Sequence, residues 1–443
     1  MKNKLAGNSV LAEFLHYVFF NIFSMVGISC YILVDTFFIG NGVGADGLTA
    51  LNLAIPVFGL QQAIGFLFSV GCGTKYAILK AQGEDRHADE LVTNTVISAA
   101  VVGTVFAVLI NAFSRPVAVA MGATGDMIDL TAMYTKTVLT FTPAFLLNST
   151  FNNMVKNDLN PKLSMIAMLS GSVANIVMDY IFIYPMKLGM FGAALATGMS
   201  PVVGMALLSI HIFTKKNRFH FVKTRFSLSQ VLTVSKLGMT SAVTELASGV
   251  VVMVFNLVIL SISGNIGVAA YGVIANLAIV VMAIFNGIAQ GIQPIVSYNY
   301  GVNNKENIRK VLQYGCILTL VMAALMYVIL FVFTTPIVEL FNGEHLETLR
   351  LIAEEGVRLY FIGIFFAGFS ILIAMYCNSM EKVKEAFAIA VLRGGIVMIP
   401  VLIVLVKLFS LGMPGVWLSF PISEAIILLM VLLAGVRGKR QKG

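Results

Sequence analysis

The sequence predicts an all-α polytopic membrane protein, with twelve transmembrane helices in two six-helix lobes related by a pseudo-two-fold axis along the membrane normal. Three features of the 443 residues indicate this fold class: an apolar composition, long apolar runs, and a pattern that recurs in both halves of the chain. Hydrophobic residues make up 58% of the chain and charged residues 11%, against roughly 25% charged residues in soluble domains. This composition excludes a soluble enzyme, a nucleic-acid-binding protein and a disordered chain. A membrane β-barrel is excluded as well, because its strands alternate in apolar character over segments of roughly 10 residues.

The apolar runs recur along the whole chain, and each reaches the roughly 20 residues that a helix needs to cross a bilayer. Short polar or glycine-bearing connections separate them, such as 41–44, 83–87 and 301–305. The predicted spans are 12–40, 48–80, 93–115, 130–156, 162–185, 190–214, 232–262, 267–299, 309–334, 350–377, 385–407 and 412–436.

The cationic residues indicate how these spans are oriented. With the N-terminus inside, six of the 29 Lys and Arg residues fall on the outer side: Arg115, Lys136, Lys187, Arg350, Arg358 and Lys407. The largest inner group lies at 215–236, between spans 6 and 7. Because cationic loops are retained in the cytoplasm during insertion, both termini are predicted to be cytoplasmic.

The two halves of the chain share a local pattern. The sequence Asn-Leu-Ala-Ile at 52–55 in span 2 recurs at 276–279 in span 8. The glycine spacing from Gly73 to Gly83 recurs from Gly291 to Gly301, at the ends of the same two spans. Each half holds an even number of spans and starts on the inner side, so the repeat is parallel.

This repeat predicts an N-terminal six-helix lobe over residues 1–220 and a C-terminal six-helix lobe over 221–443. Parallel repeats of this kind build transporters whose central site lies between two lobes that rock against each other. A channel or receptor does not need this layout. No GxxxxGK[ST] loop is present for ATP-driven transport, and no catalytic constellation appears, so the chain is not predicted to be an enzyme.

Four polar residues of the first half are predicted to lie at one depth in the outer half of the bilayer. They are Asp35 in span 1, Asn175 and Asp179 on one face of span 5, and Thr197 in span 6. Charged groups inside a bilayer are costly and by default indicate function. Two carboxyl groups held close together either share a proton or bind a hard cation, and both arrangements suit an ion-coupling site. Alternatively, Asn175 and Thr197 only hydrogen-bond between helices.

Two more acidic residues lie within the predicted spans. Glu245 in span 7 is near mid-bilayer, where it could attract a cationic substrate, belong to a second coupling site, or pair with a neighbouring hydroxyl. For Glu424 in span 12, the sequence does not decide between a functional role and structural pairing with another residue. Lys75 and Arg393 are expected to extend toward the headgroups. The cysteines and histidines show no metal-ligand spacing, so neither a metal nor a cofactor is expected apart from a coupling ion.

With these residues, the sequence resembles the multidrug and toxic compound extrusion (MATE) family of secondary transporters over essentially its whole length. The end of span 1, Val34-Asp35-Thr36-Phe37-Phe38-Ile39-Gly40, resembles the Asp-bearing close of that helix in the family, and 48–56 resembles the opening of its span 2. Asn175, Asp179 and Thr197 fall at the spacings of the residues that form the first-lobe cation site with the span 1 Asp. Glu245 matches a span 7 Glu of some members.

The resemblance implies an inner-membrane antiporter that exports organic cations or drugs in exchange for H⁺ or Na⁺ by alternating access, with Na⁺ as the one metal candidate at the four-residue site. Its implied partners are the small-molecule substrate and membrane lipid, without nucleic acid, and a monomer is expected. Two departures matter: Phe20 replaces a span 1 proline of some members, and 361–380 lacks the span 10 Asp of others. The alternative is a lipid-linked oligosaccharide flippase of the same fold, which would need cationic residues along its cavity.

Overall fold

The computed structural model describes residues 9–342 and 346–440. The two chain ends, which the charge pattern predicts to be cytoplasmic, lie outside or at the margin of this range. Helices account for nearly all described residues, and no strand occurs among them. Ten helical stretches are long and apolar enough to cross a membrane. The chain is therefore a multi-pass membrane protein.

Twelve crossings result when two features of these helices are taken into account. The helix Leu228–Gly301 has 74 residues, about 110 Å at 1.5 Å per residue, which is far more than one bilayer. Its backbone breaks at Gly264, where φ is 61° and ψ is −154°, so it provides spans 7 and 8. The twelfth crossing is span 4, which is made of two shorter helices that meet at Phe141, just before Pro143.

The first six spans have these bounds: Val10–Gly42, Ala45–Gln82, Asp85–Ala120, Met127–Thr140 with Thr142–Asn157, Pro161–Ile183, and Gly189–Phe213. The second six are 228–263, 265–301, Lys305–Val332, Glu347–Tyr360 continuing through Phe361–Gly363 to Ile364–Ser379, then Val383–Val391 continuing through Leu392–Ile396, Met398–Ile403 and Val404–Leu408, and finally Gly412–Arg440. A short helix, Thr334–Phe341, follows span 9.

Most predicted spans are confirmed, but their ends differ. Span 3 starts at Asp85 rather than 93 and runs to Ala120, because Pro116 kinks the helix at Phe113 without ending it. Span 11 contains two π-helical segments, and the first includes Gly395 at φ 115°, a backbone conformation that favours glycine. Such wide turns re-aim side chains and often mark functional or strained positions.

The two sets of six helices meet through glycines on the inner side, the side of the 214–227 connection. Span 8 of the second set packs on span 1, since a Cβ atom at Gly287 would lie 2.6 Å from Ile22 Cα. Span 7 packs on span 2 in the same way, since a Cβ at Gly238 would lie 2.1 Å from the Leu67 carbonyl oxygen. A two-fold axis that relates span 1 to span 7 and span 2 to span 8 exchanges these two contacts. The packing of the halves therefore follows the symmetry of the repeat.

Hydrogen bonds between side chains reinforce this inner contact. Asn157 at the end of span 4 and Gln293 in span 8 exchange two hydrogen bonds, each 3.1 Å long. The Lys75 ammonium group binds the Glu381 carboxylate at 2.8 Å. Asn94 of span 3 donates to Gln230 of span 7 at 2.7 Å. These hydrogen bonds and the ion pair therefore hold the two halves together on the inner side.

Candidate functional site

Glycines bring spans 1, 5 and 6 close together near their outer ends. A Cβ at Gly42, the last residue of span 1, would lie 2.2 Å from the Ile183 side chain of span 5. A Cβ at Gly192 in span 6 would lie 2.9 Å from Phe182 Cβ. Small residues allow this approach in membranes, where packing rather than water exclusion holds helices together. Polar side chains on these three spans therefore face one another across short distances.

Asp35 and Asp179 occupy this narrow space inside the first lobe. Asp35 is buried to 8% exposure and Asp179 to 0%. Their carboxyl groups lie close enough for the two side chains to hydrogen-bond to each other when a proton is present. Both residues lie about 6–12 Å from the outer ends of their helices at 1.5 Å per residue. The juxtaposition agrees with the depth that the sequence predicts.

Asn175 links Asp179 to span 6. With its amide oriented to suit its neighbours, the amide nitrogen donates to Asp179 Oδ2 at 3.1 Å, and the amide oxygen accepts from the Thr197 backbone N–H at 3.2 Å. Asn175 itself is fully buried. The amide therefore holds the Asp179 carboxyl group in a fixed orientation between the two helices.

Several oxygen atoms at this site lack a hydrogen-bond donor. Asp35 Oδ1, Asp179 Oδ1 and Thr197 Oγ1 are all buried without a partner. Buried polar atoms are nearly always paired, and an unpaired one costs about 1–3 kcal/mol. Carboxylate, amide and hydroxyl oxygens are also the ligands that hard cations take. The arrangement can thus accept a proton between the carboxyl groups or a small cation among the oxygens.

Two tyrosines that the sequence analysis did not single out lie close enough to interact electrostatically with both carboxyl groups. They are Tyr31 and Tyr134. Tyr31 precedes Asp35 by one helical turn, so helix spacing could have identified it. Tyr134 lies on span 4, and its approach depends on tertiary packing around the outer core of the first lobe.

Glu245 does not join the four-residue group. It lies on span 7 in the second set of helices and is half-buried. In the described part of the chain, no hydrogen bond or ion pair connects it to Asp35, Asp179, Asn175 or Thr197. Its backbone carbonyl accepts from Ser248 Oγ at 2.7 Å. No hydrogen bond or ion pair of its carboxyl group occurs among the described residues.

Glu424 forms an ion pair with Arg393, the structural pairing that the sequence left open. Arg393 Nε donates to both carboxylate oxygens, at 3.0 and 3.2 Å. The Glu424 side chain is buried, with 3% exposure, and the Arg393 side chain is half-buried, with 16%. The expectation that Arg393 extends to the headgroups is therefore wrong. The first π-helical turn of span 11 contains Arg393 and directs it toward span 12 instead.

Several solved structures share this architecture. A structure described as the outward-facing conformation of a multidrug resistance MATE family transporter of the MOP superfamily superimposes with a TM-score of 0.92, covering 97% of this chain and 96% of that one, at 20% sequence identity. A MOP superfamily transporter from Pyrococcus furiosus Vc1 (DSM3638), described by the reverse polarity of its binding pocket, gives 0.91 over 97% and 96%, also at 20% identity. These likenesses confirm the predicted fold class, two six-helix lobes with twelve spans.

Sequence comparison gives relatives whose names state an activity. The multidrug export protein MepA of Staphylococcus haemolyticus (strain JCSC1435) is 27% identical over 414 residues, which is 92% of this chain and 90% of that protein. MepA of Staphylococcus aureus (strain NCTC 8325 / PS 47) is 27% identical over 418 residues, 91% and 88% of the two chains. The family model MatE matches both halves, residues 21–181 and 240–404. The chain therefore belongs to the MATE family of transporters, the family that its sequence resembles.

Proposed function

We propose that the protein is a secondary active antiporter of the cell inner membrane. It exports organic cations or drugs in exchange for H⁺ or Na⁺ by alternating access, with both termini cytoplasmic. The lobes 1–220 and 221–443 rock against each other as a monomer, and the coupling ion is the one non-protein component the cycle needs besides the substrate. The multidrug export activity named for the MepA relatives supports the substrate class.

One observation carries this proposal: the carboxyl groups of Asp35 and Asp179 lie side by side in a buried space, and one oxygen of each has no hydrogen-bond partner. Both carboxylates cannot remain charged and adjacent in a buried space at low cost. A proton or Na⁺ that enters from the outer side removes this penalty and favours the close packing of spans 1, 5 and 6. Loss of the ion reverses that preference. An ion gradient can thus bias one arrangement of the first lobe over another, since a ligand shifts an equilibrium through differential affinity.

Glu245 serves as the substrate-side carboxylate, or completes a second coupling site, in this proposal. Its half-buried carboxyl group has no partner among the described hydrogen bonds and ion pairs, so it can attract a positively charged substrate. Its separation from Asp35 and Asp179 lets the exported cation and the coupling ion occupy different places.

The cationic side chains within the spans favour an exporter of cations over the flippase alternative. A pyrophosphate headgroup needs free Arg or Lys side chains along the cavity. Here Lys75 binds Glu381, Arg393 binds Glu424, and buried Lys156 donates to Gln290 at 3.4 Å. These groups are engaged in contacts within the protein.

The test is efflux of a fluorescent organic cation from proteoliposomes under separately imposed pH and sodium gradients. A pH gradient or a sodium gradient alone should drive efflux, and the gradient that does so identifies the coupling ion. Liposomes without protein and collapse of the gradient by an ionophore are the controls. If neither gradient drives transport by folded protein, the antiport proposal is wrong.

A further inference from the structure

A small pocket lies between the two lobes on the inner side, far from the Asp35 site. Span 1 contributes Glu13 and Tyr17, span 2 contributes Lys80, and Asn157 ends span 4. Span 8 of the second lobe closes the pocket with Pro294, Tyr298 and Asn299. The walls thus come from both lobes, and the pocket must widen when the lobes separate on this side.

Glu13 is the feature of this pocket that packing does not explain. The side chain is 91% buried, since only 9% is exposed, and its Oε1 has no hydrogen-bond partner. Among the described residues no hydrogen bond or ion pair reaches the carboxyl group. An unpaired buried carboxylate is expensive, so its presence indicates a partner that is bound in another state of the cycle.

The other charged groups nearby do not neutralise Glu13. Lys80 lines the same pocket, but its ammonium group binds Asp85 at 2.9 Å and Asp89 at 3.3 Å. Arg218 and Asp158 lie within electrostatic range of Tyr17, and Arg218 is 3.6 Å from Asp158. The cations around the pocket are therefore already held by other carboxylates.

The remaining lining suits an organic cation. Tyr17 and Tyr298 bring aromatic rings to the same pocket as the carboxylate. A ring face attracts a cation by about 0.5–2 kcal/mol, and more strongly when water is excluded. A carboxylate with flanking rings recognises a positively charged, partly apolar molecule better than it recognises a hydrated metal ion.

We propose that this pocket is the inner-side entry site for the exported cation. The inference rests on the proposed function and adds a second binding position to it. When the lobes separate on the inner side, Glu13 binds the positive charge of the substrate while Tyr17 and Tyr298 contact its apolar body. The substrate then moves along the central space toward the outer side, and the inner side closes behind it.

The experiment measures uptake of ethidium into inside-out proteoliposomes, in which the inner side faces the bath. Glu13→Gln should raise the KM for ethidium about tenfold and leave kcat within about twofold. Glu13→Asp keeps the charge and should keep the KM near the wild-type value. The matched control is Glu306→Gln, which removes a carboxylate on the same side but at an exposed position. The control should leave both constants unchanged.

Equilibrium binding of ethidium to purified protein in detergent separates this inference from the proposed function. If wild-type protein binds ethidium but transports nothing under any gradient, the antiport proposal fails and the Glu13 variants still report on the pocket. An unchanged KM in Glu13→Gln, or an equal rise in Glu306→Gln, overturns the entry site. A fall in kcat at constant KM overturns it too.

Discussion

Asn157 and Gln293 exchange two hydrogen bonds across the boundary between the two lobes. Each amide nitrogen donates to the other amide oxygen at 3.1 Å, and both side chains are buried. Gln293 also donates to Thr74 Oγ1 at 3.4 Å and to Ser297 Oγ at 3.2 Å. In the alternating-access cycle proposed above, these bonds break when the inner side opens, so the amide pair is expected to stabilise the state in which that side is closed.

Gln293→Ala should therefore favour opening on the inner side. Each buried hydrogen bond contributes roughly 1 kcal/mol net, so loss of the pair shifts the equilibrium by about 2 kcal/mol, or roughly 30-fold. The measurement is maleimide labelling of Ala77→Cys, a buried inner position, in protein whose native cysteines are replaced. Labelling should accelerate in Gln293→Ala. Asn152→Ala removes an amide bound within the first lobe and should not accelerate it.

Asp35→Asn should abolish gradient-driven efflux while substrate binding stays measurable, because an amide cannot carry the coupling proton or compensate Na⁺. Asp179→Asn should do much the same. The double variant should be little worse than either single variant, since the two carboxyl groups act as one unit. Efflux from proteoliposomes tests this, with folding checked by size-exclusion profile. Full gradient-driven activity in well-folded Asp35→Asn protein contradicts the coupling role.

The proximity of Asp35, Asn175 and Asp179 could be predicted from the sequence because it depends on helix spacing and depth in the membrane. Helix spacing places Asn175 beside Asp179, and counting residues from the span ends places both at the depth of Asp35. The partner of Glu424 could not be predicted. Arg393 reaches it only because span 11 widens around Gly394 and Gly395, and no periodic pattern signals that turn.

The number of spans could also be predicted from the sequence, because each span is marked by its own run of apolar residues. The break of span 4 at Phe141 and the passage of span 3 through Pro116 were not predicted. A proline in a membrane helix either ends or only kinks it, depending on the neighbours that satisfy the freed backbone groups. Those neighbours are tertiary and are not encoded beside the proline.

Glu245→Gln should lower transport of monovalent cations more than transport of neutral compounds if the carboxylate attracts the substrate directly. The position on span 7, half-buried and without a partner among the described contacts, supports this expectation. Initial efflux rates for a cationic and a neutral substrate provide the comparison. An equal loss for both substrates would assign Glu245 to ion coupling. No loss for either substrate would show that Glu245 takes part in neither substrate binding nor coupling.

The 214–227 connection should be accessible from the cytoplasm. Its predicted location follows from the cluster of cationic residues around it, because such clusters are retained inside during insertion. A cysteine at Lys223, an exposed position, should react with a membrane-impermeant maleimide in inside-out vesicles and not in intact cells. Labelling in intact cells would show that the connection lies outside. The predicted topology, and with it the direction of the proposed transport, would then be wrong.

The Arg393–Glu424 pair should matter for stability but not for ion coupling. Arg393→Gln leaves a buried, unpaired Glu424, and breaking a buried pair in this way costs about 3–5 kcal/mol. Arg393→Gln with Glu424→Gln removes both charges and should restore most of the lost thermal stability, measured as the Tm of the purified protein. Arg86→Gln breaks an exposed pair with Glu90 and should change the Tm little. Because the first-lobe site keeps its own carboxyl groups, the double variant should retain the wild-type dependence of efflux on the imposed gradient. If it folds and is stable but loses that dependence, the second lobe takes part in coupling.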